Sequence, residues 1–336
     1  MVICLLLCLA SVTFGQASTT QIEAIAWSPD GDLIAYSYSS GSPRCGTSET
    51  FVYLVDASTQ TPVMSLSAGH CAIWSLDWDP TGTYVVGASL DTIGFNVWEA
   101  ETGQLIATDQ IKSQGVIDVQ WHPTENQLAS TGSGGGLALS NAQTGESVRP
   151  LSFSVNATKL DWNQDGSKFA VRSIYESEGH IVDTNSGQTE QVLVGHSTNG
   201  GVLDWSPDGT KIVSTSMDNT VRIWNAFNGT LVATYDFPRP GEVEWASDSR
   251  RIAVASYDGL VQVRDVSTGE ILETFSHPGP VYALSWNPDG QQLAYGGLDL
   301  PGAPAQIQIV DAPQIEPTPT PTFTEPFDGA ISTPEP

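Results

Sequence analysis

The chain has 336 residues, 40% of them hydrophobic, so it can fill a sizeable core as one large β domain or two average ones. Charged residues make up only 15%, yet acids outnumber bases 38 to 12, and a net charge of −26 argues against nucleic acid and anionic membrane surfaces as partners. Many aspartates fall in turn sequences, where they cap local backbone, so solubility accounts for the acidic excess.

The first residues, Met1 to Gly15, read as a secretory leader: an apolar run from Val2 to Ala10, then the small residues Ser11, Thr13 and Gly15. The run is too short to span a bilayer. No Lys or Arg precedes it, and Cys8 lacks the small preceding residue of a lipidation site. The expected division is a signal at 1–16, a repeat domain at 17–312 and a Pro/Thr-rich tail at 313–336. The tail (EPTPTPTFTEP) has no Lys or Arg and too little apolar surface to fold, so it reads as a linker or disordered end. Export, a mature chain that does not insert into a membrane, and an oxidising compartment follow as expectations.

Between these ends a tryptophan recurs. Trp27, Trp78, Trp121, Trp162, Trp205, Trp245 and Trp286 are spaced 51, 43, 41, 43, 40 and 41 residues apart. Each ends an alternating stretch such as IWSLDW or VYALSW and precedes a turn such as SPDG or NPDG, where Pro presets φ and Gly allows positive φ. The turn aspartates Asp30, Asp165, Asp208 and Asp289 are expected to be turn formers. Further β-rich runs follow each turn, among them KIVSTSMD, VRIWNAFNG and EILETFSH. Four short strands per repeat with no helical periodicity predict an all-β, seven-bladed propeller of four-stranded antiparallel blades. The chain turns into Pro-Gln-Ile-Glu-Pro after IQIVDA, so the last blade is expected to be incomplete or closed by residues near Gln16 to Thr20.

The details resemble the WD40 family, whose blades carry a Gly-His, a turn Asp and a Trp-Asp-like pair. Gly195-His196 with Ser216, Asp218 and Trp224 matches best, and Gly69-His70 with Ser89, Asp91 and Trp98 also matches. The resemblance implies a hydrogen-bonded chain of those side chains in two blades. Elsewhere Asp258 and Asp299 keep the turn aspartate, His277 keeps a displaced histidine, and Gly134-Gly135-Gly136 replaces the motif. The WSPDG turns are also similar to a second family, the periplasmic translocation-associated propellers. A WD40-like scaffold implies partner binding on one face. Candidates there are Leu90, Met217, Tyr257 and Leu298, each preceding a turn aspartate, with Trp74, Ile117 and Tyr282 near the starts of inner strands. Packing between blades is the alternative role.

No nucleophile elbow, paired-histidine zinc motif, phosphate-cradling glycine loop or haem motif is present, so no cofactor or dedicated metal site is expected. The residues before the repeat tryptophans include Asp77, Asp161, Asp204 and Glu244, which equivalence places in one ring. That ring is either a cation- or water-binding channel or a set of carboxylates accepting backbone hydrogen bonds. Cys45 lies in the insertion Ser39 to Glu49 and Cys71 follows Gly69-His70, in loops that emerge on one face. They are expected to pair, two free thiols being the alternative. The functional expectation is a monomeric, non-catalytic scaffold of an exported bacterial type, for a protein or glycan partner. A hydrolase or lyase acting on glycans or peptides at the channel mouth is second.

Overall fold

The computed structural model describes residues 20–40, 49–89, 94–109, 115–132, 136–151, 157–173, 175–300 and 306–315. These residues form antiparallel sheets in chain order, six of four strands and the last of three, with no helix among them. The innermost strands are Thr20–Trp27, Ile73–Trp78, Val116–Trp121, Lys159–Trp162, Leu203–Trp205, Pro240–Trp245 and Val281–Trp286. Each packs on the next, and the first packs on the seventh, which closes a seven-bladed β-propeller. Chain reversal within a blade puts the Trp-containing turns on one face, here the lower. The loops after the second and fourth strands emerge on the upper face.

The turns form as their sequences require. Gly31, Gly82, Gly166, Gly209 and Gly290 all have φ between 69° and 79°, and Ser249 takes the same conformation at 55°. The turn aspartates cap the backbone two residues on: Asp30, Asp165, Asp208 and Asp289 accept the N–H groups of Asp32, Ser167, Thr210 and Gln291 at 2.8–3.1 Å.

Apolar side chains gather between the blades, in seven clusters that each bridge one junction. A single sheet cannot bury its own faces, so every blade leans on two neighbours. The repeat tryptophans are wedges in this arrangement. Trp27, Trp78 and Trp286 donate their indole N–H back to the carbonyls of Ser285, Ala26 and Glu244 on the preceding blade, at 3.0–3.1 Å.

The seam between the seventh and first blades is apolar. Ile22, Ile25, Trp27 and Ile34 pack against Ala283 and Ala294. At its upper end Gln21 bridges Leu298, and the Asp299 N–H donates to the Thr20 carbonyl at 3.0 Å. The third strand of the last blade, Gln308–Asp311, has no fourth strand beside it among the described residues. Gly296 is the tight point of the seam, since a Cβ there would stand 2.8 Å from Ile22 Cγ1. Gly296→Val should therefore cost about 1–3 kcal/mol, read as a lowered urea midpoint with an unchanged m-value.

Candidate functional site

The inner strands alternate, so every second side chain of a strand enters the central channel. The structure brings Asp77, Asp161, Asp204 and Glu244 together around one cavity of about 330 Å³. Each carboxylate accepts the backbone N–H of the repeat tryptophan on the next blade. Asp77 takes Trp121 at 2.7 Å, Asp161 takes Trp205 at 2.5 Å, Asp204 takes Trp245 at 2.6 Å and Glu244 takes Trp286 at 3.2 Å. Of the two roles open from the sequence, backbone acceptance is the one these distances describe. Among the described residues no group of three or more His, Cys, Asp or Glu side chains could hold a metal ion.

Two residues earlier on the same strand faces stand Asp118, Lys159 and Glu242, which the tryptophan register did not single out; the two-residue period of a strand would have found them. Asp118 accepts the Ser75 hydroxyl at 2.7 Å and the Leu160 N–H at 3.0 Å, tying the third blade to both neighbours. The Lys159 ammonium lies 3.9 Å from Asp118 on the third blade and 3.8 Å from Glu242 on the sixth. Burial opposes its charge, but Glu242 and Asp118 prevail and raise its pKa. Enclosure has the opposite result for the carboxyls. It lifts Asp77 to about 7 against the N–H groups of Trp121 and Trp78, and lifts Asp204, with Glu244 beside it, to about 8. All four ring carboxyls keep some surface on the channel.

The upper mouth is shaped by β-bulges. The pairing of inner and second strands slips around Glu23, Trp74, Ile117, Gly241 and Tyr282, so that in five blades an unpaired residue sits at the same level. A bulge re-aims the side chain it carries. Trp74, Ile117 and Tyr282 are thereby held half-buried. Where the bulge residue is Gly241, Tyr257 from the upper loop lies over it, 3.3 Å from where a Cβ would stand. The rings of Tyr257 and Tyr282 meet at 6.0 Å and 53°. Leu298 is half-buried on the upper loop of the last blade, and Met217 is 55% exposed. Leu90 lies outside the described residues. Glu23, absent from the sequence-based set, belongs to this ring and accepts the Ser39 hydroxyl at 2.5 Å.

The polar network forms in the fifth blade, with a different serine from the one expected. His196 Nδ1 pairs with Asp218 Oδ2 at 3.0 Å, and Nε2 with the Ser214 hydroxyl at 2.8 Å. That hydroxyl also accepts the Trp224 indole N–H at 2.8 Å. Ser216 instead donates to the Thr198 carbonyl at 3.0 Å, because it lies two residues further along the strand, beyond the tryptophan's reach. Burial, then the nearby Arg172, lower His196 to about 4, so it is neutral near pH 7. Burial opposes ionisation of Asp218, but hydrogen bonds from Thr220, Ser197 and His196 hold it at about 2. The proton order follows: Nδ1–H donates to the carboxylate, Nε2 accepts from Ser214, and Ser214 accepts from Trp224.

In the network expected from His70, Ser89, Asp91 and Trp98, the link from Trp98 to a serine is corrected. The position equivalent to Ser214 is Gly87, which has no hydroxyl to give and whose Cβ would stand 3.1 Å from the Trp98 ring. The Trp98 indole donates to the Ser67 carbonyl at 3.1 Å, and His70 is exposed. Asp91 lies outside the described residues. His277 approaches Asp299 at 3.7 Å and Asp258 pairs with Arg239 at 2.8 Å. His122 Nδ1 caps its own turn by accepting the N–H groups of Thr124 and Glu125. Cys71 is buried and disulfide-bonded. Cys45 lies outside the described residues, as do Gly134 and Gly135, the leader from Met1 to Thr19 and the tail from residue 316.

Comparison with known proteins agrees with this geometry. The WD domain, G-beta repeat family matches residues 60–93, 187–225 and 269–299. The chain carries WD40 repeats. An uncharacterized WD repeat-containing protein of Schizosaccharomyces pombe is 33% identical to this WD40 propeller over 127 residues, 37% of the chain and 20% of that protein. The COMPASS component SWD3 of Saccharomyces cerevisiae is 28% identical over 227 residues, 67% of the chain and 58% of that protein. The F-box-like/WD repeat-containing protein TBL1X of Mus musculus is 28% identical over 175 residues, 48% of the chain and 31% of that protein. The propeller thus spans about a fifth to three-fifths of these relatives, all of them eukaryotic, whereas the sequence pointed to an exported bacterial type.

Removing the hydroxyl at the centre of the WD40 network should strand two buried partners. Ser214→Ala is expected to lower stability by about 1–3 kcal/mol. His70→Ala, at an exposed site, should stay within about 0.5 kcal/mol of the wild type in the same denaturant titration.

Proposed function

We propose that the chain is a non-catalytic interaction scaffold that takes a protein partner on its upper face. The observation that carries the reading is the bulge-held ring of Trp74, Ile117 and Tyr282, with Tyr257 seated over Gly241. Large, half-buried side chains fixed by backbone irregularities give contact area at little ordering cost, which suits a binding surface. Met217 and Leu298 extend the apolar rim. The match to WD-repeat proteins, among them a named complex component, supports a role in assembly.

The test is an affinity purification with the propeller as bait, followed by titration of the recovered protein. Met217→Ala combined with Tyr282→Ala should weaken binding by about tenfold or more with little change in thermal stability. Phe227→Asp, at an 89% exposed position on the lower face, should leave binding unchanged. Equal losses from both variants would count against the upper face. Binding to a glycan array without any protein partner would favour the glycan alternative.

We also propose that the scaffold works outside the cytoplasm, with Cys71 paired to Cys45. The leader-like first 16 residues and the oxidised state of Cys71 support this reading. Thiol titration of the unfolded, unreduced protein lacking the leader should find no free thiol. Reduction should lower stability by about 3–4 kcal/mol for a loop of about 27 residues. Two titratable thiols would overturn the pairing.

The second reading, a hydrolase or lyase, rests on the channel carboxyls. These are bound to backbone N–H groups, which places that reading behind the scaffold.

A further inference from the structure

We propose that the upper end of the junction between the fourth and fifth blades binds a small oxyanion, a carboxylate or a phosphate, gripped by Arg172 with Arg222 beside it.

Arg172 breaks the pattern of the ring. In each blade the residue before the repeat tryptophan pairs with a second-strand residue, and the position two further along faces the next blade. Six blades place a small residue there: Ser37, Ala88, Thr131, Thr215, Ala255 and Gly296. The fourth places Arg172. Ala170, two residues before it, packs with Trp205, Ile212 and Trp224 of the fifth blade, so strand alternation turns Arg172 toward the same neighbour.

The arginine is 1% exposed, and its Nε and Nη2 have no hydrogen-bond partner among the described residues. Burial lowers its pKa to about 10, which leaves it charged at neutral pH. A buried charge without a partner is costly. The small residues at the equivalent position include two that do find partners. Ser37 donates to the Ile73 carbonyl and Thr215 to the Gly241 carbonyl, each at 2.8 Å. Nε and Nη2 form one edge of the guanidinium, the fork whose parallel N–H groups match two oxygens of a carboxylate or phosphate.

The fifth blade supplies space and charge at this level. Its inner strand is only Leu203–Trp205. The positions that Ser37 and Thr215 reach on their neighbours are occupied here, counting back from Trp205, by Gly200 and Gly201, with φ of 84° and 104°. Bare backbone therefore replaces the side chains of a longer strand. Arg222 lies on the same side of its strand as Trp224, facing the fourth blade, half-buried against Gly195. The acid on that side, Asp218, is already held by His196, the Ser197 N–H and the Thr220 hydroxyl. Two cations thus share one committed carboxylate, and an oxyanion on the Arg172 fork balances the second.

The experiment starts from the full chain dialysed into chloride buffer at pH 7. Phosphate and acetate are added separately at constant ionic strength, and binding is followed by thermal unfolding and calorimetric titration. Wild type should gain several degrees of Tm, saturably and at one site, from at least one of the two. Arg172→Met keeps the stem without the fork and should gain nothing beyond the chloride control. Arg222→Gln should bind several-fold more weakly, and Lys211→Ala, at the lower end of the fifth blade, should bind as wild type does. Arg172→Lys keeps the charge but loses the fork, and should bind at least about tenfold more weakly. It carries the comparison if the Met variant fails to fold. No gain beyond chloride in wild type, equal gains in wild type and Arg172→Met, or unchanged affinity in Arg172→Lys would overturn the proposal.

Discussion

The structure depends on the contact between one blade and the next. A four-stranded sheet of this size has two faces and cannot cover either, so apolar side chains collect at the seven junctions rather than inside any blade. Each repeat tryptophan fills part of a junction, and in the second, fourth, fifth and sixth blades an acidic side chain beside it reaches forward to the next backbone. Packing supplies the area; the carboxylates set the register at which the inner strands meet.

The same contact explains what could be read from the sequence. Tryptophan spacing reports a junction, which every blade must make, so blade number, turn positions and channel ring were legible. The two-residue period then places Asp118, Lys159 and Glu242 beside that ring, although attention to the residue before each tryptophan passed over them. The polar network was less legible because it depends on one position in the second strand. Ser214 and Ser216 point to the same face and share a sequence context, and only the reach of the Trp224 indole separates them. In the second blade Gly87 removes the hydroxyl altogether, a loss hidden by an intact Gly-His motif. Bulges were illegible for another reason: an extra residue in one strand appears only once its partner strand is aligned with it.

The channel shows how environment divides chemically similar groups. Asp218, given hydrogen-bond donors and a neutral histidine, stays ionised at low pH, while Asp204, enclosed among other acids, keeps a proton near neutrality. Both are buried acids with structural partners. Their opposite behaviour comes from the number of donors and cations around each, which composition alone does not report.

The seam between the seventh and first blades joins the parts of the ring that lie furthest apart in sequence. The Trp27 indole reaches the Ser285 carbonyl across 258 residues, whereas the Trp78 indole reaches Ala26 across 52. Loop-closure entropy grows with the length of chain closed, so this junction is the costliest of the seven to form. The apolar contacts of Ile22, Ile25 and Trp27 with Ala283 and Ala294 offset that cost.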